Sequence, residues 1–389
     1  MRLGAVEVMR PSWMGASKAA FACPQYCPTP SSARWWGAMR LAVSCSAQGG
    51  GVLVTGAAGF IGSHVVERLL WMGERVVAID SMSEGSGPYP AAWKEHNTRF
   101  LQALSDEGDT PGTVKFIRAD IRDRQAVEAA FQDPAGISRV CHLAAVSGVA
   151  DTLQRPEEGV AVNVGGTALL MDCAGRAGCR SFVLASSGSV YGDTASPRAM
   201  REEEASRELI SPYAASKMSA ELMAPVFSSM HGLPATVLRV FTTYGPRGRP
   251  DMVVQRFMER MLSGQSIQQF GSGESFRDYV YVEDVACAFT TALFHDALDA
   301  APTGPTRTYN VAGGRCITLA QLIRLVEEAT GVQAQVEVRE QRQADVRGTY
   351  ADISAAELWL GWKPEVSLEE GLRRTVEWTL TDHGYVTGQ

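Results

Sequence analysis

Residues 51–62 constrain the fold more than any other stretch of the chain. An apolar run, Val52 to Val54, enters a turn carrying Gly56, Gly59 and Gly62, and apolar side chains then recur at helical spacing through Phe60, Ile61, Val65, Val66, Leu69 and Leu70. The pattern predicts strand, tight turn, helix. Gly56 lets the backbone reverse, Gly59 leaves room for a pyrophosphate, and Gly62 lets the helix pack closely on the strand, so that the unpaired N–H groups of the helix start face phosphates. An ordinary glycine loop shares the pattern. What separates the two is a second strand, 75–79, that ends on Asp80, where a carboxylate takes the adenosine ribose hydroxyls and repels a 2′-phosphate. The expected cofactor is therefore NAD rather than NADP.

Strand and helix signals alternate onward. The segment 81–112 reads as an insertion over the cofactor with a short helix at 91–104. A strand at 114–117 leads to Asp120 and Ile121, placed to meet the adenine, and Asp123 reads as the N-cap of a helix at 123–131. The strand beginning at Arg139 ends in Ala144 and Ala145, where larger side chains would obstruct the cofactor. A long helix at 156–177 and a strand at 181–185 follow. The order predicts an α/β fold with a doubly wound parallel sheet and a smaller C-terminal α/β domain. The expected boundaries are 51–240 for the nucleotide-binding domain and 241–389 for its companion, with parts of 280–312 returning to the first.

Residues 1–50 stand apart, because Arg2, Arg10, Lys18, Arg34 and Arg40 are balanced only by Glu7. That composition suits a transit peptide, and equally an upstream extension from a misassigned start; no stable fold is expected of it. The 389 residues carry a formal charge of −7, which gives no electrostatic footprint for nucleic acid. No apolar run approaches the ~18 residues that span a membrane. The eight cysteines lack paired metal-ligand spacing and read as reduced thiols, and no metal is expected. These features fit a cytoplasmic chain, or an organellar one if residues 1–50 direct import.

Chemistry concentrates in two places. Ser187 ends its strand, where ligands bind in open α/β sheets. Ser211 and Pro212 start a helix that puts Tyr213 and Lys217, four apart, on one face. A phenol with pKa near ~10 becomes a base at about pH 7 only with roughly 4 kcal/mol of differential stabilisation, at about 1.36 kcal/mol per unit. The Lys217 ammonium is expected to supply part of it. Singly, each residue reads as a strand end or a helix surface; following the glycine turn, in the order Ser, Tyr-x-x-x-Lys, they read as a catalytic set.

The chain from Gly51 to about Leu380 resembles the extended short-chain dehydrogenase/reductase family. The resemblance rests on Gly56, Gly59, Gly62, Asp80, Asp120, Ile121, His142 to Ala145, Asn163 to Thr167, Ser187, Val190 to Gly192, Tyr213 and Lys217, then on 277–284, 309–311 and 351–364. It implies tightly held NAD, with Phe60 and Ile61 also at the cofactor, a UDP-sugar substrate, and a homodimer formed through the helices at 156–177 and 212–230. Arg277, Arg342 and Asp345 resemble its diphosphate and ribose contacts.

In that family the tyrosine takes the proton of the sugar 4-hydroxyl as C4 is oxidised. Dehydratases and decarboxylases then need an additional acid or base before the Val-Tyr-Gly, where this chain has Gly188 and Ser189. What remains is 4-epimerisation. The segment 239–252 resembles that of UDP-glucuronate 4-epimerases, in which residues matching Thr242 and Arg249 face the sugar carboxylate, a role suited to a guanidinium fork. Arg249 also reads as a phosphate ligand or a surface ion-pair partner. Three departures, Gly188 for Ser, Arg247 for Trp and Ala150 for Arg, keep a UDP-glucose/UDP-galactose 4-epimerase open. A decarboxylase and a non-catalytic NAD-binding protein are the further alternatives.

Overall fold

Along β1 (Gly51–Thr55), Val52 and Val54 point to one side and Leu53 to the other, and β2 (Arg75–Asp80) repeats this with Val76 and Ala78 against Val77 and Ile79. Both sides are buried, which requires helices on both faces of the sheet. The computed structural model describes residues 49–83, 91–134, 136–193, 197–295, 306–340 and 346–381. The extension through residue 48, with Cys23, Cys27 and Cys45, lies outside the described residues, as do Arg342 and Asp345. The other five cysteines are free thiols.

β3 (Thr113–Arg118), β4 (Ile137–His142), β5 (Ser181–Ser187), β6 (Ala235–Val240) and β10 (Thr306–Val311) complete a seven-stranded sheet in the order β10-β6-β5-β4-β1-β2-β3. Every pairing is parallel. The order reverses between β1 and β4, so a crevice opens at their carboxyl ends. Helix α1 (Phe60–Trp71) and the helix Val282–Phe294 cover one face through Val65, Leu69, Val285 and Phe289. The other face is covered by α3 (Arg124–Phe131), Thr167–Arg176 and Pro212–His231 through Val127, Leu170, Met171, Ala220 and Ala224. Each large apolar side chain withdrawn this way contributes about 1.5–3 kcal/mol. A three-stranded sheet of β7 (Thr242–Tyr244), β9 (Phe276–Tyr281) and β11 (Cys316–Thr318) packs with Val253–Leu262, Leu319–Thr330 and Leu368–Thr381 around Tyr244, Phe257, Met258, Leu322 and Leu372.

Two expectations need correction. The helix α2 (Ala91–Asp106) is longer than predicted and is part of the core: Trp93, Asn97 and Leu101, at i, i+4 and i+8, are all buried on one face. Leu101 joins the core beneath α1, and Asn97 Nδ2 donates to Ala58 O at 2.9 Å. The predicted helix at 156–177 is not regular. Pro156–Val160 runs into a π-helical turn, Ala161–Gly166, before Thr167–Arg176 resumes. An inserted residue of this kind rotates the following side chains and often marks a functional site.

Candidate active site

Ser211 Oγ caps the helix Pro212–His231 by accepting from Ala214 N at 3.1 Å, and proline occupies its first turn. Tyr213 thereby reaches the end of β5, where its hydroxyl shares a hydrogen bond with Ser187. Ser187 Oγ also accepts from Ser189 N at 3.2 Å and Ser189 Oγ at 3.0 Å. Burial pushes the Tyr213 hydroxyl up; the Ser187 hydrogen bond and the Arg249 charge pull it back. A second cation beside the expected Lys217, Arg249, thus acts on the phenol. Lys217 Nζ donates to Ala185 O at 3.0 Å and lies 5.9 Å from the Tyr213 ring centre. Burial lowers its ammonium to about 8 against the opposing pull of Glu221.

The glycine turn forms the cradle its sequence requires. Gly56 has φ +71°, and a Cβ there would sit 2.7 Å from Ala144 N, while one on Gly62 would sit 2.0 Å from Gly56 O. Gly59 differs, since a Cβ there meets only Gly56 O at 3.1 Å. The approach to the start of α1 is left open, as a dinucleotide pyrophosphate requires. Asp80 is 5% exposed at the end of β2. Its Oδ2 accepts from Ala58 N at 3.1 Å, and its Oδ1 accepts from Met82 N at 2.8 Å and Lys94 Nζ at 2.9 Å. A carboxylate has about four acceptor sites, so capacity for a ribose hydroxyl remains. Asp120 chelates Arg122, with Nη2 to Oδ2 at 2.6 Å. Ile121 is 4% exposed and packs where Gly166 has no side chain, so protein core takes up most of its surface. Asp123 caps α3 as expected. Phe60 and Ile61 open α1 beside Trp93 and Val282, and Ala144 and Ala145 follow β4.

Arg249 comes in from the segment after β7. Its Nη1 donates to the carbonyl and hydroxyl of Ser147, and its Nε and Nη2 to the two oxygens of Asp251. Thr242 lies in β7 opposite Tyr279. Arg277, on β9, donates to the carbonyls of Phe276 and Val346 at 2.7 and 2.9 Å. Two of the departures have defined surroundings. Gly188 is buried, and a Cβ there would meet the Phe241 ring at 3.1 Å. Arg247 stacks 4.9 Å over the Phe100 ring and pairs with Glu67 at 2.5 Å.

Two buried networks were not assigned from sequence. Arg239 Nη2 donates to Glu221 Oε2 at 2.7 Å, and its Nη1 to the Tyr191 hydroxyl at 3.0 Å; that hydroxyl donates to Asn310 Oδ1 at 2.6 Å. Glu221 also holds the Ser186 hydroxyl. The signal available was Glu221 four residues beyond Lys217 on one helix face. The second network runs beneath the cofactor cradle. Thr167 Oγ1 donates to Asn163 O at 2.7 Å and so accepts from His142 Nε2 at 2.9 Å; the neutral imidazole then accepts from Thr55 Oγ1 at its Nδ1, 2.7 Å away. Asn163, in the π turn, bonds both backbone groups of Val146 and donates to Ser216 Oγ at 2.9 Å. Ser216 in turn donates to Tyr213 O at 2.8 Å, linking the turn to the catalytic helix.

Comparisons with known proteins match the fold. The profile of the NAD dependent epimerase/dehydratase family matches residues 52–312. The UDP-glucuronate 4-epimerase of Thermodesulfobacterium geofontis is 36% identical over 328 residues, covering 84% of this chain and 95% of the relative. The crystal structure of Bacillus cereus UDP-glucuronic acid 4-epimerase in complex with UDP-glucuronic acid and NAD superposes with a TM-score of 0.73 at 32% identity, over 84% of this chain and 98% of that one. Thermotoga maritima UDP-glucose 4-epimerase with UDP-glucose does so with a TM-score of 0.73 at 35% identity, over 85% and 98%.

Proposed function

The chain belongs to the NAD dependent epimerase/dehydratase family, and we propose that it is an NAD-dependent UDP-sugar 4-epimerase that interconverts UDP-glucuronate and UDP-galacturonate. The observation that carries this reading is the Arg249 guanidinium, whose charge acts on the Tyr213 phenol. A cation there suits a sugar whose C5 bears a carboxylate and whose C4 hydroxyl reacts at Tyr213.

Gly56, Gly59, Gly62 and the start of α1 are the residues to hold the pyrophosphate, Asp80 the ribose, and Tyr213 and Lys217 the nicotinamide end. When bound, NAD⁺ accepts hydrogen from sugar C4 and gives it back. Tyr213 takes the proton of the 4-hydroxyl and later returns it, while Ser187 holds the same oxygen. Arg249, gripping the C5 carboxylate, keeps the 4-keto acid from losing carbon dioxide, and neither Gly188 nor Ser189 supplies an acid or base for another outcome. In this reading Thr242 joins Arg249 at the sugar, and Arg277 meets the diphosphate.

A second reading, UDP-glucose/UDP-galactose 4-epimerase, is favoured by Gly188, which brings no hydroxyl to a carboxylate. Incubation with UDP-glucuronate, UDP-galacturonate, UDP-glucose and UDP-galactose, with chromatography of the products, separates the two. Conversion of the uronates without net NADH release supports the first; turnover of the neutral sugars alone replaces it with the second, and UDP-pentose with carbon dioxide rejects both.

The assembly is a homodimer through the helices flanking the site. Leu222, Val226 and Met230, at i, i+4 and i+8 of Pro212–His231, are 50–65% exposed, and Leu153 and Val160 on the neighbouring helices are 50% and 53% exposed. Such a stripe on a second copy buries both. Among the described residues no helix is long and apolar enough to cross a membrane.

A further inference from the structure

The sheet has a second end, about 20 Å, one strand length, from Ser187. There the first residues of β5 and β6, Arg307 of the edge strand β10 and the end of the helix Val282–Phe294 enclose a cavity of about 340 Å³. That size lies in the range of small-molecule sites. Arg307 and Tyr309 are two apart on β10 and share a face, and the guanidinium bonds the Tyr309 hydroxyl. Yet Arg307 is only 9% exposed, and its Nε and Nη2 have no hydrogen-bond partner. Arg139, also lining the cavity, is 7% exposed; its Nε donates to Leu293 O at 3.1 Å, its Cζ lies 4.6 Å over the Phe294 ring, and the Glu74 carboxylate feels its charge. Arg180 and His295 complete the polar wall.

A buried guanidinium with two unpaired donors is costly, and donors without acceptors call for an anion rather than for another donor. We propose that this cavity is a binding site for a small phosphate-bearing anion, with the Arg307 guanidinium as its principal ligand and Arg139 and Arg180 supplying further positive charge. It is separate from the catalytic crevice, being built on the amino ends of the strands whose carboxyl ends carry Ser187. The proposal does not depend on which sugar the crevice takes.

The test is thermal unfolding of the full chain with NAD and saturating UDP, which fills the diphosphate site, as inorganic phosphate is raised at constant ionic strength. A saturable rise in Tm is expected for the wild type. Arg307→Met should lose that rise, or need at least tenfold more phosphate for half of it, and without phosphate should melt no lower than the wild type, since it removes an unpaired buried cation. Arg180→Gln, at an exposed position, should raise the half-saturating phosphate at least threefold. No saturable rise in the wild type, or an unchanged half-saturation in either variant, overturns the proposal. AMP in place of phosphate separates the sources: a lower half-saturating concentration assigns a nucleotide, an equal or higher one the free anion.

Discussion

Arg249 donates from Nε and Nη2 to the two carboxylate oxygens of Asp251, at 3.2 and 2.8 Å. The fork assigned to the sugar carboxylate is therefore closed by a carboxylate of the chain itself. Asp251 is 38% exposed in its side chain, so the pair is worth no more than about 1 kcal/mol, or roughly fivefold in an equilibrium. Asp251→Asn is predicted to lower the KM for UDP-glucuronate up to about fivefold with kcat unchanged. A raised KM would show instead that Asp251 holds Arg249 in position.

Removing the cation itself separates substrates. Arg249→Met should cost about a hundredfold or more in kcat/KM for UDP-glucuronate, since truncating one side of a desolvated charge pair costs roughly 2–5 kcal/mol. For UDP-glucose, which has no carboxylate to pair, the loss should stay under about tenfold. Steady-state kinetics on both sugars decides it.

Tyr213 is the only group at the sugar end of β5 assigned to move a proton. Tyr213→Phe is predicted to lower kcat about a thousandfold, within the range of general acid–base contributions, while the purified protein keeps its NAD. Unchanged turnover would mean that another group takes the 4-hydroxyl proton.

His142 gives the fold a pH dependence of definite sign. Burial, with the Lys217 charge second, lowers its pKa from the ordinary 6.5 to about 3. Between these values the unfolded chain binds a proton that the folded chain does not, so stability present above pH 6.5 is lost as pH falls toward 3. At pH 5 the loss from this group is about 2 kcal/mol. His142→Gln, which keeps a donor toward Thr167, should show a shallower fall in urea midpoint between pH 7 and 5 than the wild type; an equal fall would place the titration elsewhere. Lys217, lowered from 10.5 to about 8, acts in a separate window, where stability rises with pH.

The strand-turn-helix at 51–71, the parallel order and the Ser187–Tyr213–Lys217 set were legible because each rests on local spacing: a glycine the turn cannot replace, an alternation along a strand, an i, i+4 pair on a helix. What escaped was set by contacts distant in sequence. Nothing near Asn163 announces a π turn, which is held by bonds to Val146 and Ser216, 17 and 53 residues away. The 91–104 helix read as part of an insertion because turn residues stand at both ends of 81–112; Trp93 and Leu101 find their partners only after α1 is in place. Arg249, 36 residues on in sequence, acts on the Tyr213 phenol across the fold and likewise carries no local signal.

The central claim is that one hydrogen leaves sugar C4 and comes back to the same carbon while Tyr213 handles only the hydroxyl proton. Turnover of UDP-glucuronate deuterated at C4 in ordinary water, with the product examined by mass spectrometry and NMR, tests it most directly. UDP-galacturonate that retains the deuterium at C4 is the predicted result; label lost to solvent contradicts it.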